Sequence, residues 1–137
     1  MTDQTCKERI DEHYNGRIAD IRKLWNLYCS GDEHGDPELG RFNEYGLCFD
    51  YVSPGTFEDQ PEGYFRYQLS WGGPSDEFRF YVDSDKSIDN IKYVFMDWFD
   101  GATMDVTDED FSLMEEIFED FKDIGIVDNL YNDAQED

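Results

Sequence analysis

Between Tyr64 and Tyr81 the chain reads YFRYQLSWGGPSDEFRFY, two alternating arms around a glycine and proline turn. In the first arm Phe65, Tyr67, Leu69 and Trp71 alternate with Tyr64, Arg66, Gln68 and Ser70, the period of a strand with one buried face. The second arm points Phe78, Phe80 and Val82 inward and Glu77, Arg79 and Tyr81 outward. Gly72, Gly73, Pro74 and Ser75 supply the turn, because glycine tolerates positive φ and proline presets one turn dihedral. This is a β-hairpin with an aromatic inner face, and such a row reads as core before it reads as a binding surface. A hairpin alone is marginal in water, so the remaining chain must cover it.

Upstream, Thr5, Cys6, Lys7, Glu8 fits a capping box and opens a helix. Ile10, Tyr14, Ile18, Ile21, Trp25 and Tyr28, with Leu24 beside them, form its apolar stripe, and its polar face mixes both signs of charge. Ser30 to Gly40 is a loop by its glycines, proline and acids. Asp32, His34 and Asp36 alternate there as in a calcium loop, but Pro37 stands where that loop needs glycine and no glutamate follows at the twelfth position. Leu47 to Val52 and Ile91 to Phe99 read as further strands, the second apolar on both faces, and Asp83 to Lys86 as a polar connection between hairpin and second strand. TDED at Thr107 to Asp110 opens a second helix with acids where the macrodipole favours them. Phe111, Met114, Ile117, Phe118, Phe121 and Ile124 line its inner side and Gly125 stops it. One short turn through Leu130 and Tyr131 then leads into an acidic tail, about 128–137.

The expected fold is α+β: an N-terminal helix, an antiparallel sheet of about four strands, and an acidic C-terminal helix, with both helices on one sheet face. At 137 residues, 17% of them aromatic, the chain suits one domain with a ring-rich core.

Charge is the second constraint. Thirty-four acids against eleven lysines and arginines give a net charge of −23. Self-repulsion of that size opposes compaction, so its reason lies outside fold stability: a basic partner, or acidity as a general solubility device. A solubility device spreads acids evenly. Here Asp97 to Asp137 holds fifteen acids against the single base Lys122. Cys6, Cys29 and Cys48 match no CxxC pattern and read as free thiols in a reducing cytoplasm, with Cys48 a small core residue of its strand. No run approaches membrane-spanning length, and an anionic membrane would repel the chain. The expected location is cytoplasmic, that of the host cell if the gene is carried by a phage.

Chemistry follows from the second helix. Glu115, Glu119 and Asp123 recur at four-residue steps, Glu116 and Asp120 make a parallel row, and Asp97, Asp100, Asp105, Asp108, Glu109 and Asp110 extend the acidic surface. Like charges at these steps cost about 0.2–0.5 kcal/mol per pair, which a solvated face normally avoids by mixing in lysine. These eleven carboxylates are the candidate partner-binding residues. They suit a protein groove built for nucleic acid, while direct nucleic-acid binding is disfavoured by the sign of the field. His13 and His34 have no nucleophile and base arrangement around them, so no enzyme, catalytic residue, metal or cofactor is expected.

YFRYQLSWGGPSDEFRFY and YVFMDWFDGA together resemble a family of small proteins carried by phages and mobile elements, over the middle third of the chain. Size and acidity also resemble, in type, the DNA-mimic inhibitors those elements direct against host defence, including anti-restriction and anti-CRISPR proteins. That likeness implies stoichiometric occupation of the DNA or RNA groove of a defence nuclease or effector complex. The alternatives are an immunity protein or antitoxin capping a basic nuclease toxin, and an adaptor module whose acidity serves solubility.

Overall fold

A computed structural model describes residues 5–32, 34–71, 74–83, 85–97 and 100–135. The predicted turn glycines Gly72 and Gly73, the strand end Trp98 and Phe99, Ser84 of the polar connection, Glu33 of the first loop, and Glu136 and Asp137 of the tail lie outside them.

The chain is α+β. Helix α1 (Cys6–Cys29) and a single turn α2 (Phe42–Tyr45) precede five strands, β1 (Cys48–Val52), β2 (Tyr64–Ser70), β3 (Pro74–Val82), β4 (Ile88–Asp97) and β5 (Asp100–Asp105). Helices α3 (Asp108–Asp123) and α4 (Ile126–Gln135) follow. The strands form one antiparallel meander in chain order, one more than the expected four. Strand β5, whose DGATMD carries no aromatic and a half-exposed edge, gives almost no alternation to read. Helix α4 replaces the expected short turn: Val127 is buried, and Leu130 and Tyr131 pack on the core.

Both long helices cover the same sheet face. Tyr14 of α1 meets Phe78 and Tyr93, and Phe118 of α3 meets Phe65 and Phe80, all residues that the strand register places on one side. The α1 stripe is buried as its spacing predicts, except that Tyr28, beyond the sheet's reach, stays 47% exposed. At its start the Thr5 hydroxyl accepts the Glu8 N–H and donates to the Glu8 carboxylate, satisfying one orphan amide. Helix α3 ends at Gly125, whose φ of +89° only glycine adopts cheaply.

The hairpin departs from its simple alternation at one point. Gln68 pairs Glu77 but Ser70 pairs Asp76, so Leu69 is the extra residue of a bulge. A one-residue slip flips every later side chain. Ser70 therefore turns to the helix side, where it donates to Asp76, and Trp71, expected inside, is 73% exposed. Cys48, expected in the core, begins the edge strand and is exposed, as is Leu47 just before it. At Gly46 a Cβ would lie 2.2 Å from the Tyr67 ring, so the chain passes that ring only as glycine.

Candidate functional site

Helix α3 positions the predicted residues. Leu113, Met114, Ile117 and Phe118 fix its inner side, which leaves Glu109, Glu115, Glu116 and Asp123 exposed and Glu119 and Asp120 half-exposed. Asp108, also exposed, enters the helix at φ 56°, a left-handed conformation that aspartate tolerates better than most residues. The two predicted rows thus share one outward side. Seven of the helix's eight carboxylates, all but Asp110, stand on that side, along about 24 Å at 1.5 Å per residue. That is one per about 3.4 Å of axis, the axial density of phosphates on one nucleic-acid strand at about 3.4 Å.

The other four nominated residues have partners in the fold. Asp97 pairs with Arg9. Asp100 accepts the Cys6 N–H at 2.7 Å and caps α1, and these backbone bonds hold its carboxyl below the usual range. Asp105 pairs with Lys92 at 3.3 Å. Asp110 accepts from the Tyr14 hydroxyl and from Arg22, each at 2.7 Å, and ties α3 to α1. These four are not part of the outward rows.

The same pattern extends across the molecule. Among the described residues, nine of the eleven lysines and arginines form ion pairs with the fold's own carboxylates. A buried one centres on Asp76, which accepts from Arg17 through both oxygens, from Tyr93 at 2.6 Å and from Ser70. Burial raises the Asp76 pKa, but those donors outweigh it and the carboxyl sits below its ordinary range. Because each pair is neutral, the charge of −23 falls on acids without such a cation, those of α3 among them.

On the opposite sheet face lies a feature that sequence reading missed. Asp50, Arg66, Arg79, Lys92 and Asp105 are directly opposed across β1 to β5, and the three cations of this row line a groove of about 560 Å³ walled by Phe57, Tyr64, Tyr81 and Trp71. Like charges directly opposite are unfavourable. Here Arg66 pairs with Asp50 at 2.7 Å, Arg79 with Glu77 at 2.7 Å and Lys92 with Asp105, and the Arg79 guanidinium lies 4.6 Å from the Tyr64 ring centroid. The row is neutralised in place, so the groove offers a phosphate little net attraction. Strand alternation identifies Arg66 and Arg79 as outward neighbours; that Lys92 joins them depends on a register no local pattern encodes.

The remaining polar candidates are used locally. Asp32 accepts from the His34 and Gly35 amides, Asp36 from those of Glu38 and Leu39 and from Lys23, and His13 stacks on Phe95 at 4.2 Å. Among the described residues no group of three or more His, Cys, Asp or Glu is placed to hold a metal ion. No helix among them is long and apolar enough to cross a membrane. The chain matches no family model, no curated protein and no solved structure.

Proposed function

We propose that the chain is a nucleic-acid mimic: a binding protein, not an enzyme, of phage or mobile-element origin. It occupies the DNA- or RNA-binding groove of a host defence complex, a CRISPR effector or restriction enzyme, in the host cytoplasm. The observation that carries this reading is the division of charge. The fold pairs its cations internally and leaves carboxylates on the outer side of α3 at nearly the axial density of phosphates. A basic groove meeting that row releases its bound counterions much as it does on DNA, which supplies affinity and steering with no base contacts. The residues that do this are Glu109, Glu115, Glu116, Glu119, Asp120 and Asp123, with Asp108 at the helix start; Asp97, Asp100, Asp105 and Asp110 are engaged within the fold.

The test is competition. Immobilised protein retains basic host proteins at low salt, and a short DNA duplex releases them where polyglutamate at equal charge does not. Glu115→Lys, Glu119→Lys and Asp123→Lys together abolish retention without unfolding the chain. Retention indifferent to both duplex and triple substitution overturns the proposal, and recovery of one small toxin that duplex does not release replaces it with the immunity reading.

A further inference from the structure

At the C-terminal end of α3 the acidic side meets an apolar hollow. Tyr28, Leu47 and Ile124 are 47%, 59% and 61% exposed, and they border a pocket of about 360 Å³ floored by Phe42, Phe49 and Phe121. Each lies at the end of an element and stays exposed among the described residues. Tyr28 extends the α1 stripe beyond Trp25, on which it stacks at 5.3 Å. Ile124 caps α3, one step past Phe121, whose ring lies 4.7 Å from that of Phe49. Leu47 is held ahead of β1 by its N–H bond to the Gln68 carbonyl at 2.8 Å. The pocket is lined from six elements, with Tyr67 of β2 and Ile126 of α4 among them, and clustered exposure of this kind marks a contact surface.

Carboxylates rim it. Asp120 lines the pocket, and Asp123, next to Ile124, is exposed. Glu116 is exposed one turn before Asp120 on α3, and burial, then the charges of these two acids, push up the Cys29 thiol at the end of α1. This charge selects the occupant. Nucleic acid would set phosphate against carboxylate, and a second copy of the chain would bring two bodies of charge −23 together.

We propose that the hollow receives one large apolar side chain, of the phenylalanine or leucine kind, from a protein segment in which lysines or arginines flank it. The apolar group fills the aromatic floor while its neighbours meet Glu116, Asp120 and Asp123. This rests on the reading above that the partner is a basic protein, and adds what charge alone does not provide: a salt-resistant anchor that distinguishes one basic groove from another.

Two synthetic peptides of equal charge test it, one of lysine and glycine only and one with a single central phenylalanine. The phenylalanine peptide is expected to bind about tenfold tighter or more. It should shift the methyl signals of Leu47 and Ile124 and the ring signals of Tyr28, and keep its margin as salt rises while lysine-only binding fades. Leu47→Ser with Ile124→Ser should erase the margin and leave lysine-only binding unchanged; if that double variant unfolds, Leu47→Ser alone makes the same test. Equal affinities, a margin that survives the substitutions, or shifts confined to other faces overturn the anchor while leaving the mimic reading standing. Failure of both peptides to bind at low salt removes the basic-partner reading and the anchor with it.

Discussion

Helix α1 carries five bases and four acids, helix α3 one base and eight acids, and both bury an apolar stripe on the same sheet face. Their polar sides are used in opposite ways. From α1, Arg9 reaches Asp97, Arg17 reaches Asp76, Arg22 reaches Asp110 and Lys23 reaches Asp36, so one helix holds β4, β3, α3 and the first loop. Helix α3 receives one of those links, through Asp110, and turns its remaining acids outward. A charge is structural here when a cation from another element meets it, and available to a partner when none does. Composition does not separate the two classes.

The largest effect expected from breaking this division is at Arg17. Its removal leaves Asp76, with a side chain only 3% exposed, as a buried carboxylate with hydroxyl donors alone. Breaking a buried pair on one side costs about 3–5 kcal/mol, so Arg17→Ala is expected to lower the urea midpoint by that equivalent. A loss below about 1 kcal/mol would mean that the α1 clamp is decorative.

Acid should dissolve the same links in a defined window. Hydrogen bonding from Lys23, then the Leu39 and Glu38 amides, pulls Asp36 down to about 2. Asp76 also lies below the ordinary value once its donors offset burial. An unfolded aspartate titrates near 3.9, so stability from these groups is complete above about pH 4 and is lost as pH falls from about 4 toward 2. Urea midpoints measured across that range should fall, and Asp36→Asn should shrink the fall. A midpoint that stays flat from pH 4 to 2 would refute the assignment.

Arg22 and Asp110 give a smaller effect, because their side chains are 41% and 29% exposed. Solvent screens such a pair, and Arg22→Ala is expected to cost about 1 kcal/mol or less by thermal unfolding. Asp110→Asn should cost slightly more, since it weakens the Tyr14 hydroxyl bond as well. Equal losses at Arg17 and Arg22 would show that burial does not rank these links.

What the sequence disclosed follows the same boundary between local and distant information. The stripes of α1 and α3, the Thr5 cap, the Gly125 stop and the alternation of Phe65, Tyr67, Phe78 and Phe80 are local periodicities, and they hold except at the ends of the two stripes, where Tyr28 and Ile124 are exposed. The Leu69 bulge is a property of two strands together, and it moved Trp71 to the other face. The cation row needs the register of three strands. Asp97, Asp100, Asp105 and Asp110 looked like the acids of α3 because each partner lies on a separate element, 88 residues away in the Arg9 to Asp97 pair. The hollow beneath Tyr28, Leu47 and Ile124 gathers ends of elements, and no single segment carries its signal.

The smallest expected change in stability is also the one that isolates the outward acids. Glu115→Lys, Glu119→Lys and Asp123→Lys alter exposed or half-exposed side chains of α3. The steps within that row stay like-charged, lysine against lysine, but those from Glu116 to position 119 and from Asp120 to position 123 become attractive, and the net charge of −23 falls in magnitude by six, so the melting temperature should hold or rise slightly. Added salt should raise that of the parent more than that of the variant, because it screens a self-repulsion the variant has partly lost. Retention of a basic partner, in contrast, should vanish. A protein in which Arg17→Ala unfolds the chain but spares the charge of α3, while the triple substitution spares the fold but abolishes binding, keeps its two sets of carboxylates separate. If the triple variant melts several degrees lower, the outer acids are holding the fold and the division between the two helices fails.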